Sequence, residues 1–161
     1  MIEETQTGVV AVAPERMLVL EAFGDRVTFC LTGLETGGKY SAFLTETAPG
    51  CGPPPHYHER EDEWFVVLEG RAEFFRDGEW SEVPQGSSVF APRGSVHAFR
   101  NAGDTMLRQL VHTSPAGFEN FFGAMAEEWR REGGVDMDEV IRRSADFGIR
   151  FPLMETGASE G

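Results

Sequence analysis

From residue 17 onward, apolar and polar positions alternate in short runs separated by turn-forming residues. Residues 17–23, 26–32 and 40–47 read as strands, with turns at Gly24-Asp25 and Gly37-Gly38 between them. An apolar run, 64–68, ends at Gly70. Residues 71–76 and 79–83 then flank Asp77-Gly78, the strongest short hairpin signal in the chain. A two-residue loop there sets Phe75 opposite Trp80 as an aromatic cross-strand pair. Residues 89–91, 96–100 and 106–113 supply further strands. About nine short strands at this spacing predict an all-β barrel or jelly roll.

The period changes after Ser114-Pro115. Phe118, Phe121, Phe122, Met125 and Trp129 recur at helical spacing and form one apolar stripe. The reading is a helix packed on the barrel, with Pro115 in its first turn. Gly133-Gly134 ends it. Asp136 and Glu139 predict a capping box for a shorter helix over 138–145, stopped by Gly148. The polar tail after Leu153 is expected to fray. These elements make one domain over 1–161, with a core barrel at about 17–113 and a helical extension at about 115–150.

Charge narrows the class of partner. Acidic residues outnumber basic ones 27 to 14, a net charge of −13, which repels phosphate backbones and argues against nucleic-acid binding. No apolar run reaches membrane-spanning length, and residues 1–8 lack the pattern of a signal peptide. With only Cys30 and Cys51, no disulfide framework is indicated, so a cytoplasmic location is expected. Cys51 reads as a small packing residue.

Candidate chemistry gathers in mid-chain. His56 and His58 are two apart, so on a strand both rings leave the same face. Glu63 opens the following strand, and its parity turns Phe65 and Val67 inward with it and Trp64, Val66 and Leu68 outward. His97 comes from a strand across the barrel, with Phe99 beside it. Three imidazoles and a carboxylate form a ligand set for one divalent transition metal, Fe, Ni, Mn, Cu or Zn, with one or two positions open for water or substrate. Phe65, Val67 and Phe99 are the expected apolar contacts for a flat small-molecule substrate. Glu63 doubles as the expected proton acceptor. The acids Glu59, Glu61 and Asp62 read as a solvated cluster. His112, on a late strand, is read as a non-ligand. Three prolines, Pro53, Pro54 and Pro55, make a stiff lead-in to His56. Gly50, Gly70, Gly86 and Gly94 fall at turns, Pro92 stiffens the turn before His97, and Asn101 is placed to bind its own loop backbone.

These residues resemble the two motifs of the cupin superfamily. The first reads G-x5-H-x-H-x4-E-x6-G and is met by Gly50, His56, His58, Glu63 and Gly70. The second reads G-x5-P-x-G-x2-H-x3-N and is met by Gly86, Pro92, Gly94, His97 and Asn101. Thr36-Gly37-Gly38, the stretch from Ser114 to Phe118 and that from Phe147 to Phe151 are similar to small cupins often described as quercetin 2,3-dioxygenase-like. The resemblance implies a conical jelly-roll barrel, metal ligation by His56, His58, Glu63 and His97, and a homodimer. For function it implies a metal-dependent dioxygenase-like oxidoreductase acting on an aromatic, polyphenolic or enol small molecule. A non-redox cyclase or isomerase of a polyketide-like or keto substrate is the alternative, and a non-enzymatic binding cupin the third, because one fold hosts many functions.

Overall fold

The computed structural model describes residues 8–155. The acidic residues 1–7 and the tail beyond 155 lie outside them. A single 3₁₀ turn, Pro14–Arg16, leads into strand β1 (Leu18–Ala22), followed by β2 (Asp25–Leu31), helix α1 (Gly33–Thr36) and β3 (Ser41–Thr47). Next come β4 (Tyr57–His58), β5 (Asp62–Glu69), β6 (Ala72–Arg76), β7 (Glu79–Val83), β8 (Ser88–Ala91), β9 (Ala98–Asn101) and β10 (Leu107–Ser114). The chain closes with α2 (Phe118–Trp129), α3 (Met137–Asp146), β11 (Ile149–Arg150) and α4 (Pro152–Glu155).

One sheet runs β1-β2-β3-β10-β5-β8, and its strand partners are antiparallel. A second layer holds β7-β6-β9 and the pair β11-β4. An isolated antiparallel bridge between His56 and His97 joins these two pieces. The inner face of the larger sheet is a ladder of aligned apolar residues. Phe29 sits opposite Phe43, Phe43 opposite Val111, and Val111 opposite Phe65. All four are buried. Each such side chain contributes about 1.5–3 kcal/mol by leaving water, so this row pins the register of four strands at once.

The hairpin forms as its residues dictate. Asp77 and Gly78 both take positive φ, 53° and 86°, as a type I′ turn requires. Phe75 faces Trp80 with ring centroids 5.6 Å apart, and the Arg100 guanidinium lies 4.3 Å over the Trp80 ring. Gly50, Gly70, Gly86 and Gly94 all take positive φ, as their turn positions predict.

Four local expectations are corrected. The first turn is Phe23-Gly24 rather than Gly24-Asp25. Phe23 takes φ 56° with its ring held among Phe121, Trp129 and Phe151, which leaves Asp25 as the first residue of β2. Before Gly37-Gly38 the chain makes the short helix α1, because Thr32 and Glu35 complete a capping box. Pro115 precedes α2 instead of entering it. Its peptide bond to Ser114 is cis, and the helix starts after Gly117, whose φ of 125° suits a residue without Cβ. Asp136 caps α3 by accepting from the amides of Asp138 and Glu139, but Glu139 does not reciprocate. Its carboxylate is drawn to Arg142, one turn on, at 2.6 and 2.8 Å. Of the tail expected to fray after Leu153, Met154 and Glu155 belong to α4, and the remainder lies outside the described residues.

Gly52 sets the path of the proline lead-in. At φ 150°, a Cβ there would lie 2.2 Å from the Phe99 carbonyl oxygen and 2.9 Å from Arg100 Cα. These are backbone atoms of β9, which cannot swing aside. Gly52→Ala is expected to cost about 1–3 kcal/mol of stability, read as a lower urea midpoint at unchanged denaturant slope.

Candidate metal centre

The His56–His97 bridge builds the site. The two residues exchange both backbone hydrogen bonds, at 3.0 and 2.8 Å. Residues directly opposite in such a pair project from the same face, and the two ring centroids lie 4.7 Å apart. His58, two residues after His56, adds its ring to that face 5.2 Å from His56 and 5.5 Å from His97. Three imidazoles thus come from one layer of the barrel, which corrects the expectation that His97 reaches the site from across it: the backbone bridge sets His97 directly beside His56. Glu63, at the start of β5, reaches them from the other layer. All four side chains are buried, and one ligating atom from each lies within 4.8 Å of every other.

Hydrogen bonds around the rings fix which nitrogens face inward. His56 Nδ1 lies 2.9 Å from the Pro54 carbonyl, and His97 Nδ1 lies 2.9 Å from the Ser95 carbonyl. A carbonyl only accepts, so Nδ1 of each ring carries the proton and Nε2 points into the pocket. The proline lead-in therefore does more than stiffen the approach, because one of its carbonyls orients the first histidine. His58 Nδ1 lies 3.3 Å from a carboxylate oxygen of Glu61.

Glu61 is a correction. Its place in a run of acids suggested a solvated cluster, yet it is buried against His58. The neighbours have separate duties: Glu59 accepts from Arg150 at 3.0 Å, and Asp62 accepts from the backbone amide and the guanidinium of Arg93. Only Glu61 turns inward. The carboxylate–histidine pairing fixes ring orientation and raises the donor strength of the ring.

Electrostatics separate the three rings. Burial, reinforced by the charges of His97 and His58, pushes His56 down to about 3, so it stays neutral. Burial pulls the same way on His58, but Glu63 and Glu61 overcome it and raise the ring to about 9. Burial favours the neutral acid at Glu63, but His58 and His97 outweigh it and hold the carboxylate ionised, well below the usual range. His97 Nε2 lies 2.9 Å and His58 Nε2 3.2 Å from the same oxygen of Glu63. His58 Nε2 is buried and makes no hydrogen bond, with Glu63 only as its ion-pair neighbour. A buried nitrogen of this kind, turned toward a carboxylate and two other imidazoles, fits a divalent cation better than it fits a packed core. The four residues can hold one such ion.

Around them lies an aromatic-walled cavity with about 40 Å³ free, room for a few waters. Phe65 and Phe99 line it, while Val67, though fully buried and inward, sits outside the lining. Phe118 stacks on His58 at 5.5 Å and on Phe43 at 5.3 Å. The α2 stripe thus supplies a wall of the site beyond packing a helix on the barrel. Strand β11 was missed by the sequence reading: it pairs with β4, Ile149 opposite His58, and carries Phe151 to 5.8 Å from His56. The alternation of Phe147, Ile149 and Phe151 was its only signal. His112 faces away from the cluster and packs against Tyr40 and Trp64, and Cys51 lies against Gly24.

The cavity also holds Asp25, buried beside Thr47, whose hydroxyl donates a hydrogen bond to its carboxyl. Burial pushes its carboxyl up to about 7, against the lowering effect of Thr47.

Three outcomes follow. Removing the carboxylate behind His58 by Glu61→Ala is expected to weaken metal binding about 10–100-fold in a chelator competition, whereas His97→Ala abolishes stoichiometric metal by elemental analysis. For Asp25, the folded protein keeps between about pH 4 and 7 a proton that the unfolded chain has lost, so this group lowers stability as pH rises through that window. Asp25→Asn removes that slope, worth at most roughly 4 kcal/mol, in urea melts across the range.

Residues 43–113 match the family model described as a cupin domain. The chain is 37% identical over 82 residues to "Polyketide synthase CurC" of Streptomyces cyaneus, covering 50% of this chain and 53% of that protein. It is 28% identical over 95 residues to quercetin 2,3-dioxygenase of Bacillus subtilis (strain 168), covering 58% of this chain and 28% of that protein. The chain thus spans about half or less of the curated relatives' own length. Among solved structures, the polyketide cyclase RemF from Streptomyces resistomycificus has the same fold, at TM-score 0.56 and 24% identity over 66% of this chain and 80% of that one. Both motifs meet in one pocket of a jelly-roll fold, and the family match spans the strands that build it: residues 43–113 of this chain are a cupin domain.

Proposed function

We propose that this chain is a metal-dependent, dioxygenase-like oxidoreductase acting on a flat aromatic or enol small molecule. The observation that carries it is the convergence of three imidazoles and one carboxylate on a cavity whose other walls are aromatic. His56, His58, Glu63 and His97 are the ligands. A redox-active divalent ion held there supplies electron exchange with dioxygen, which none of these side chains provides.

The chain's own residues do the rest. Phe65 and Phe99 take the faces of the substrate, with Val67 behind them. Glu63, kept ionised by His58 and His97, accepts the substrate proton. The free space is too small for such a molecule, so entry displaces rings of the aromatic wall. The buried setting excludes bulk water from the reacting group.

The relatives named for polyketide assembly favour a second reading, non-redox cyclisation or isomerisation, in which the ion polarises a carbonyl. The two separate cleanly. Protein reconstituted with iron, manganese, nickel or copper is expected to consume a flavonol with matching oxygen uptake, and to stop in anaerobic buffer. Full turnover with zinc alone, indifferent to oxygen, would establish the cyclase reading instead. Tight binding without product under every metal would leave a binding protein.

A further inference from the structure

The cavity that reaches the metal ligands has a second polar patch. Asp25 on β2 and Thr45 on β3 line it together with His56 and Glu63. They are 6% and 2% exposed. Asp25 stands opposite Thr47, and Thr45 is two residues back along the same strand, so all three face the barrel interior. One carboxyl oxygen of Asp25 is engaged by the Thr47 hydroxyl. The Thr45 hydroxyl is buried with no partner. So are both amide atoms of Gln109, which sits directly opposite Thr45 on β10.

The fold does not require polar residues there. The adjacent row of Phe29, Phe43, Val111 and Phe65 crosses the same strands with apolar side chains alone. An unpaired buried hydroxyl or amide costs about 1–3 kcal/mol, and three strands carry such a group or a buried acid at this level. Register also gives the distance scale. Thr45 pairs with Gln109 and Glu63 with Thr113, four residues further along β10. That is up to about 13 Å along the strand, the reach of a linked or fused ring system rather than of one ring.

Resting on the function proposed above, we propose that Asp25 and Thr45, backed by Gln109, form a recognition subsite for a distal hydroxyl or carbonyl of a multi-ring aromatic substrate whose other oxygens face the metal ligands. Burial raises the Asp25 carboxyl to about 7, so near neutral pH it can donate as well as accept. The subsite selects polyhydroxylated skeletons over those bearing oxygen at one end only.

The test uses the full chain, metal-loaded and anaerobic, in isothermal titration with two probes. Quercetin carries hydroxyls on its distal rings. 3-Hydroxyflavone keeps the 3-hydroxy-4-ketone and lacks the others. Wild type is expected to prefer quercetin. Thr45→Val and Asp25→Ala each weaken quercetin about tenfold while changing 3-hydroxyflavone less than about twofold, with metal content unaltered, and Asp25→Asn recovers part of the loss. If Asp25→Ala fails to fold, Thr45→Val, which exchanges a hydroxyl for a methyl, carries the test. Equal weakening of both probes, or none for quercetin, overturns the subsite and leaves the aromatic-substrate reading intact. If metal-loaded wild type binds neither probe, that reading falls and the subsite with it.

Discussion

Two backbone hydrogen bonds between His56 and His97 hold the centre of this molecule together. They form the isolated bridge that joins the three-stranded layer to the β4–β11 pair. Because a mutually bonded antiparallel pair sends both side chains the same way, the bond that closes the layer also sets two imidazoles side by side. The proline lead-in and Gly52 deliver His56 to that position, and the Pro92–Gly94 turn delivers His97. Gly94 donates its amide to the His58 carbonyl at 2.7 Å, which ties the second motif to the third imidazole. Structure and candidate chemistry depend on the same few backbone contacts.

The carboxylates and imidazoles form a coupled set. Glu63 is ionised because His58 and His97 face it, and His58 holds a proton because Glu63 and Glu61 face it. His56 has no carboxylate close enough to offset its burial, and stays neutral. Each ring is oriented from behind by a different acceptor, Pro54, Glu61 or Ser95.

Much of this could be read from residue order. Period-two alternation placed Glu63, Phe65 and Val67 on one face, the Asp77-Gly78 pair fixed its hairpin, and the two motifs named the four converging residues. What escaped depended on distant partners. Glu61 belongs to an acidic run, and only the turn between β4 and β5 shows which acid points inward. Asp25 reads as a turn residue until Phe23 is seen packed into the aromatic cluster, which moves the turn back by one. Strand β11 is two residues long and pairs across some ninety positions, so no local pattern could announce it. The aromatic stripe of α2 was legible as a buried face, but not that one of its rings would lie against His58.

That β4–β11 pairing has a consequence for how the protein comes into being. All four converging residues have left the ribosome once His97 has emerged, yet β4 has only two residues, and its partner on one side lies at Ile149–Arg150. Phe118 and Phe151, which flank the imidazoles, also come from the last third of the chain. Synthesis proceeds from the N-terminus, so the pocket is open on one side until residues 149–151 have been made. Until those residues are made, the four converging side chains stand in a pocket that lacks part of its wall.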